Sequence, residues 1–138
     1  MKTVFDAADR LFNILNVASV TGAISGETIA LWRFKKAVND ENKTLVIAPL
    51  PIGWGPDVQE GFVNLNCYAK DIGGLPDEAS LDTMSAAVIA RLEAYSNTTG
   101  VYFYYDLENQ AVYPDHDQPS MSYSNIRIRI YYETETLS

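Results

Sequence analysis

Cysteine and histidine are almost absent from this 138-residue chain, which has one of each, Cys67 and His116. A single cysteine excludes an internal disulfide. A single histidine leaves a tetrahedral metal site short of its usual ligands. Cys67 lies inside an apolar alternation, which predicts a buried small hydrophobe, and nothing in the sequence brings His116 beside it as a base. Basic residues are scarce too: 10 Lys and Arg stand against 18 Asp and Glu, for a net charge of −8. That balance disfavours tight nucleic-acid binding, which rests on cations neutralising phosphates, and attachment to anionic membranes. It favours a surface from which a polyanion slides away. No apolar run reaches transmembrane length. Met1, Lys2 and Thr3 lead straight into an amphipathic pattern containing Asp6, Asp9 and Arg10, so no signal peptide is expected. The dinucleotide, P-loop, nucleophile-elbow, zincin and CxxC spacings do not occur, and no internal repeat is present.

What is there reads as one α+β domain over residues 1–138, with 133–138 as a loose tail. Hydrophobic residues at 47% and charged residues at 20% argue for a folded chain. Phe5, Ala8, Leu11, Phe12 and Leu15 fall at helical spacing and predict a first helix over 6–17, with Asp6 as N-cap. The glycines in 20–26 break it. Residues 28–34 read as a strand, 39–42 as a turn, and 44–48 as a short strand covered on both faces. Residues 49–56 hold three prolines and two glycines, which predicts a stiff loop with Trp54 near its tip. In the strand 58–68, Val63, Leu65 and Cys67 point toward the helices, while Phe62, Asn64, Asn66 and Tyr68 point away. A second helix over 80–95 carries Leu81, Met84, Val88, Leu92 and Tyr95 on one stripe, with Ala86, Ala87 and Ala90 at close approaches. Its cap is Ser80 or Asp77. Residues 101–105 and 110–113 are strand-like, with 106–109 as a turn between them, giving a hairpin or a kinked strand. In the last strand, 124–132, Ile126, Ile128, Ile130 and Tyr132 face the core, and Arg127, Arg129 and Tyr131 face out. The expected architecture is a mixed, mainly antiparallel β-sheet with two helices packed on one face.

Few constellations carry chemistry. Asp115, His116 and Asp117 are the metal-like cluster, but neighbours in one loop rarely converge on an ion without a third element; the expectation is a structural loop. Arg127 and Arg129 share a strand face, where they can pair with carboxylates across the sheet or across a subunit boundary. Asn64 and Asn66 beside Phe62 and Tyr68 make a mixed face of amides and aromatics, able to take a sugar or a protein edge, or simply a half-exposed sheet face. Nine Tyr suit interfaces and equally suit strands. A large apolar residue on a stiff loop is the usual form of an interface anchor. Trp54 and Ile52 in that loop, with Arg127, Arg129 and Tyr131 on the last strand, are therefore the interface candidates. No nucleophile–base pair assembles from Cys67 and His116, so no catalytic residue, metal or cofactor is assigned and no enzyme activity is expected.

The order of elements resembles tailed-bacteriophage tail-terminator (tail-completion) and related head–tail joining proteins. The resemblance spans roughly residues 6–133. It is carried by Gly61-Phe-Val-Asn-Leu-Asn-Cys-Tyr-Ala-Lys-Asp71, by the helix 81–95 after Leu75, Pro76 and Asp77, by Ser124-Asn-Ile-Arg-Ile-Arg-Ile130, and by Ile24-Ser-Gly-Glu-Thr-Ile29 at the start of the first strand. It implies an α+β fold and a hexameric ring of identical subunits that caps the tail tube and meets the head connector in the virion, after assembly in the host cytoplasm. The partners it implies are other copies of the chain, the tail tube protein and the head connector proteins, with DNA only as passing cargo and no membrane. It brings no catalytic residues. A contrasting expectation, from the residues alone, is a small soluble ligand-binding or hydrolytic domain using the Asn64 and Asn66 face or the 115–117 loop.

Overall fold

The computed structural model describes residues 3–24, 40–55, 57–95 and 103–133, Trp54 as backbone only. The strand expected at 28–34, part of the turn at 39–42, the end of the second helix at 97–100, the first residues of the strand at 101–105 and the tail at 134–138 lie outside the described residues. The fold is α+β: four strands form one sheet with helices on one face.

Helix α1 spans Val4–Leu15. Its N-cap is Thr3, not Asp6. The Thr3 hydroxyl accepts from the Asp6 amide at 3.2 Å, and the Thr3 amide donates to the Asp6 carboxylate at 2.7 Å. This reciprocal box satisfies two donors that the helix itself leaves free. The buried face is Ala7, Ala8, Leu11, Ile14 and Leu15. Phe5 is 53% exposed, which corrects its place in the apolar stripe: it lies about 120° around the helix from Leu11. A short helix α2, Ala18–Thr21, and a 3-10 turn, Gly22–Ile24, follow where only a break was expected. They form because Val20 and Ile24 reach the core.

Strand β1 runs Thr44–Trp54 and pairs antiparallel with β2, Val58–Lys70. The expected 49–56 loop is therefore mostly strand. The register shifts between Pro49 and Ile52, and this irregularity absorbs prolines that a regular central ladder would reject. Gly61 makes it possible. A Cβ there would lie 3.1 Å from the Pro51 carbonyl oxygen and 3.2 Å from the Ile52 Cα, so the distorted backbone needs a glycine opposite it. Leu45 and Ile47 face the helices, while Val46 and Ala48 join Tyr68 and Met121 in a smaller cluster on the other face. The 44–48 segment is covered on both faces, as its unbroken apolar run predicts.

After β2, Ile72 and Leu75 exchange backbone hydrogen bonds of 2.8 and 3.1 Å around Gly73 and Gly74. Their φ values of +59° and +78° give the two-residue turn that strongly favours glycine. Helix α3 spans Glu78–Ala94 and is capped by Asp77, whose carboxylate accepts from the Ser80 amide at 3.2 Å and the Ser80 hydroxyl at 2.6 Å. These bonds hold the Asp77 carboxyl below its usual range. Leu81, Met84, Val88 and Leu92 are buried as expected, while Ala86 and Ala90 are exposed and Ser85 is buried in their stead.

Strand β3, Phe103–Pro114, is continuous, with a register shift between Leu107 and Asn109. The turn expected at 106–109 is thus a kink inside one strand, because β4, Met121–Glu133, pairs with both halves. The order is β1-β2-β4-β3, and every neighbouring pair among the described residues is antiparallel, in keeping with the mainly antiparallel sheet expected. β2 and β3 run parallel with β4 between them, joined through α3. Helix α1 packs over β1, and α3 packs over β2 and β4. Arg91 ties the two helices together by donating from Nε to the Ile14 carbonyl at 2.7 Å, one of the carbonyls left free at the end of α1.

Candidate assembly surface

The period of two along β2 and β4 sorts their side chains between the helix side and the open side of the sheet. On the open side Asn64 pairs with Arg127, Phe62 with Arg129, and Glu60 with Tyr131. Arg127 holds its guanidinium 4.3 Å from the Phe62 ring centre, and Arg129 lies 5.7 Å from the same ring and 5.4 Å from that of Tyr131. Arg129 also bonds to the Glu60 carboxylate. Of the two uses expected for these arginines, pairing across the sheet is therefore seen for Arg129, while Arg127 stacks on Phe62. The amide face is knitted by Asn125, which donates to Asn66 at 2.7 Å. Lower on the same face, Tyr68, Tyr123 and Tyr113 form an aromatic row with ring separations of 5.0 and 5.8 Å. Arg127, Arg129 and Tyr131 are each half-buried among these neighbours.

Ile52 packs partly against the main core of its own subunit. The backbone of Trp54 ends β1 opposite Gln59; its side chain lies outside what the structure describes. Asp115 is mostly buried and organises its own loop: it accepts from the Asp117 amide at 3.1 Å, and its amide donates to the Met121 carbonyl at 3.0 Å. Among the described residues no group of three or more His, Cys, Asp or Glu is placed to hold a metal ion. Cys67 is fully buried on the helix side, and burial pushes its thiol up to about 12. His116 is exposed in the 115–120 loop.

The surface that sequence patterning missed is β3. The two ends of the strand order differ sharply. In β1, Thr44 to Ala48 are buried on both faces. In β3 most residues are open: Tyr104 is 44% exposed, Leu107 38%, Val112 47% and Tyr113 47%. These are four of the eight exposed large hydrophobics among the described residues. Because α3 lies over β2 and β4, the helix-side face of β3 is covered only near its start, where Phe103 is buried in the core and the Tyr105 hydroxyl donates to the Leu92 carbonyl. A trough of about 430 Å³ remains between α3 and β3, lined by Leu81, Ile89 and Val112, with Ser85 and Gln110 on its floor and Glu78 and Asp82 at its rim. Two polar groups there are tied down: the Ser85 hydroxyl donates to Ser124 at 2.6 Å, and the Gln110 amide nitrogen donates to Ser124 at 2.7 Å. A second notch of about 270 Å³ opens further along, between Leu92, Glu93 and Tyr95 on one side and Tyr105, Asp106 and Leu107 on the other. The available sequence signal was weak. Leu107 and Val112 sit in the strand with no apolar stripe on the flank of α3 to cover them, since Ala86 and Ala90 offer little surface there.

No protein-family model matches this chain, and no curated protein is found to be similar to it.

Proposed function

We propose that this protein is a structural assembly subunit without catalytic activity, of the tail-terminator or head–tail joining kind that its sequence resembles. In this reading it forms a six-membered ring that caps a phage tail tube, meets the head connector, and leaves a channel for DNA. The observation that carries the assembly reading is the bare β3. Folding of this chain buries Thr44 to Ala48 at one end of the strand order and leaves most of β3 open at the other, with Tyr104 and Tyr113 exposed on one face and Leu107 and Val112 on the other. An open strand with apolar side chains is a template for another polypeptide. Asp106 and Glu108 stand near the middle of that strand, so a two-fold pairing of β3 with itself about Leu107 or Glu108 would set like charges against each other. That disfavours an isologous dimer through β3, so in this reading β3 meets a different protein and the ring closes through other, unlike surfaces of the subunit. The ring number and the virion location rest on the resemblance alone. The net charge of −8 suits a lumen through which DNA passes without sticking.

Sedimentation velocity over a concentration series, with negatively stained micrographs of the same samples, tests this. The expected result is a concentration-dependent species near six subunits that images as rings. A chain that stays monomeric at every concentration, and whose melting temperature rises with a small molecule or cation, would overturn the reading in favour of a ligand-binding domain.

A further inference from the structure

We infer that β3 and the trough beside α3 form a strand-addition site for an extended segment of a different protein, one that alternates aliphatic residues with Lys or Arg. This deepens the assembly reading and rests on it. Three features of the surface set the chemistry of the occupant. The first is the strand itself. Among the described residues β3 has β4 on one side only, so along its other side a segment can dock by main-chain hydrogen bonds, with alternate side chains reaching pockets. The second is the trough. Its apolar walls, Leu81, Ile89 and Val112, accept an aliphatic side chain, and the Ser85 hydroxyl and Gln110 Nε2 beside them are already hydrogen-bonded to Ser124. The third is charge. Glu78 and Asp82 rim the trough, Glu93 and Asp106 line the second notch, and Glu108 lies in the strand between them. These carboxylates repel an acidic strand and attract a basic one.

The same features argue against β3 or β1 of a second copy as the occupant. The middle of β3 repels itself through Asp106 and Glu108. The strand at the other end of the order, β1, is buried over Thr44 to Ala48 and carries no charged residue from Thr44 to Trp54, so it lacks the required pattern.

The probe is the peptide acetyl-Lys-Val-Lys-Leu-Lys-Val-Lys-amide, added to the full chain at about 0.15 M salt, where the screening length is about 8 Å. Two control peptides go with it: one has Pro in place of Leu at unchanged charge, and the other has Glu in place of every Lys. Amide chemical shifts locate the binding. Val112→Lys and Leu107→Lys, both at exposed positions, serve as variants, with circular dichroism reporting their fold. The expected result is binding whose shifts fall on residues 103–114 and 78–89. It should weaken at least tenfold with the Pro peptide and with either variant, and vanish with the Glu peptide. Equal binding of the Pro peptide, or shifts spread over other acidic surfaces, would mean general attraction to an acidic protein and overturn the inference. Protection of the β3 amides by self-association of the chain alone would overturn it in favour of a second copy. Sedimentation without peptide separates the two readings: rings with no peptide binding sink this inference and leave the assembly reading standing, while binding by a strict monomer does the reverse.

Discussion

Ser124 shows how much one small residue can organise in this fold. It has no exposed surface, and its oxygen receives hydrogen bonds from Ser85 on α3 and Gln110 on β3. It therefore joins the helix to the strand that the helix fails to cover. Ser124→Ala removes that oxygen and leaves the buried Ser85 hydroxyl without its partner. The expected loss is about 1–3 kcal/mol, the usual cost of an orphaned buried donor, read as a lower urea midpoint at unchanged slope. A loss below about 0.5 kcal/mol, the range of ordinary surface changes, would show that the network is idle. The alternation of Ile126, Ile128 and Ile130 implies that Ser124 points inward. It says nothing of Ser85, which is 39 residues away in sequence. Tyr105 is a similar case: its hydroxyl donates to the Leu92 carbonyl near the end of α3. Local pattern gives the direction of a side chain, and long-range packing gives its partner.

Among the elements, the helices and the two long central strands were legible because each has one buried face and a regular period. The stripe Leu81, Met84, Val88 and Leu92 and the alternation Ile126, Ile128, Ile130 are both found where their periods place them. Leu92→Ala and Ile128→Ala are each expected to cost about 2–5 kcal/mol, as deletions from a packed helix–sheet core do; denaturant melts of the two variants check this, and near-zero losses for both would mean that these faces are not the core. Elements failed to be legible where one rule was stronger in sequence than in space. Prolines at 49 and 51 read as a loop, yet a strand with one flank outside the ladder tolerates them, and the register shift opposite Gly61 takes up the distortion. The charged segment at 106–109 read as a turn, yet a one-residue irregularity in β3 keeps the pairing with β4 on both sides. In both cases the punctuating residues mark a bulge rather than an end.

At the scale of the whole molecule, the open surface follows from where the helices land. α1 covers β1, α3 covers β2 and β4, and the described helices reach β3 mainly at its start, at Phe103 and Tyr105. That choice is made by the sum of many contacts and has no local signature, which is why the candidate surface could not be read from spacing. The same arrangement sets how the molecule responds to alkali. Burial pushes the Cys67 thiol from 9.0 up to about 12. Burial, then the charges of Asp115 and Asp117 and the Tyr123 hydroxyl, pushes Tyr68 from 10.0 to about 12. Burial, with Asp6 and Asp9 outweighing Arg10, does the same for Tyr132. Cys67 and Tyr132 lie in the helix-side core and Tyr68 in the cluster on the opposite face, so both layers carry the effect. Each group has its folded pKa above its unfolded value. Below about pH 9 both states hold these protons and the contribution to stability is complete. As pH rises from about 9 to about 12, the unfolded chain releases protons that the folded chain keeps, and stability falls. The urea midpoint should therefore stay level up to about pH 9 and drop steadily above it. Tyrosinate absorbance from Tyr68 and Tyr132 should appear only as the fold opens. A midpoint that holds or rises through this window, or a single tyrosinate transition complete before unfolding begins, would mean that these groups are not sealed in the two layers as the packing places them.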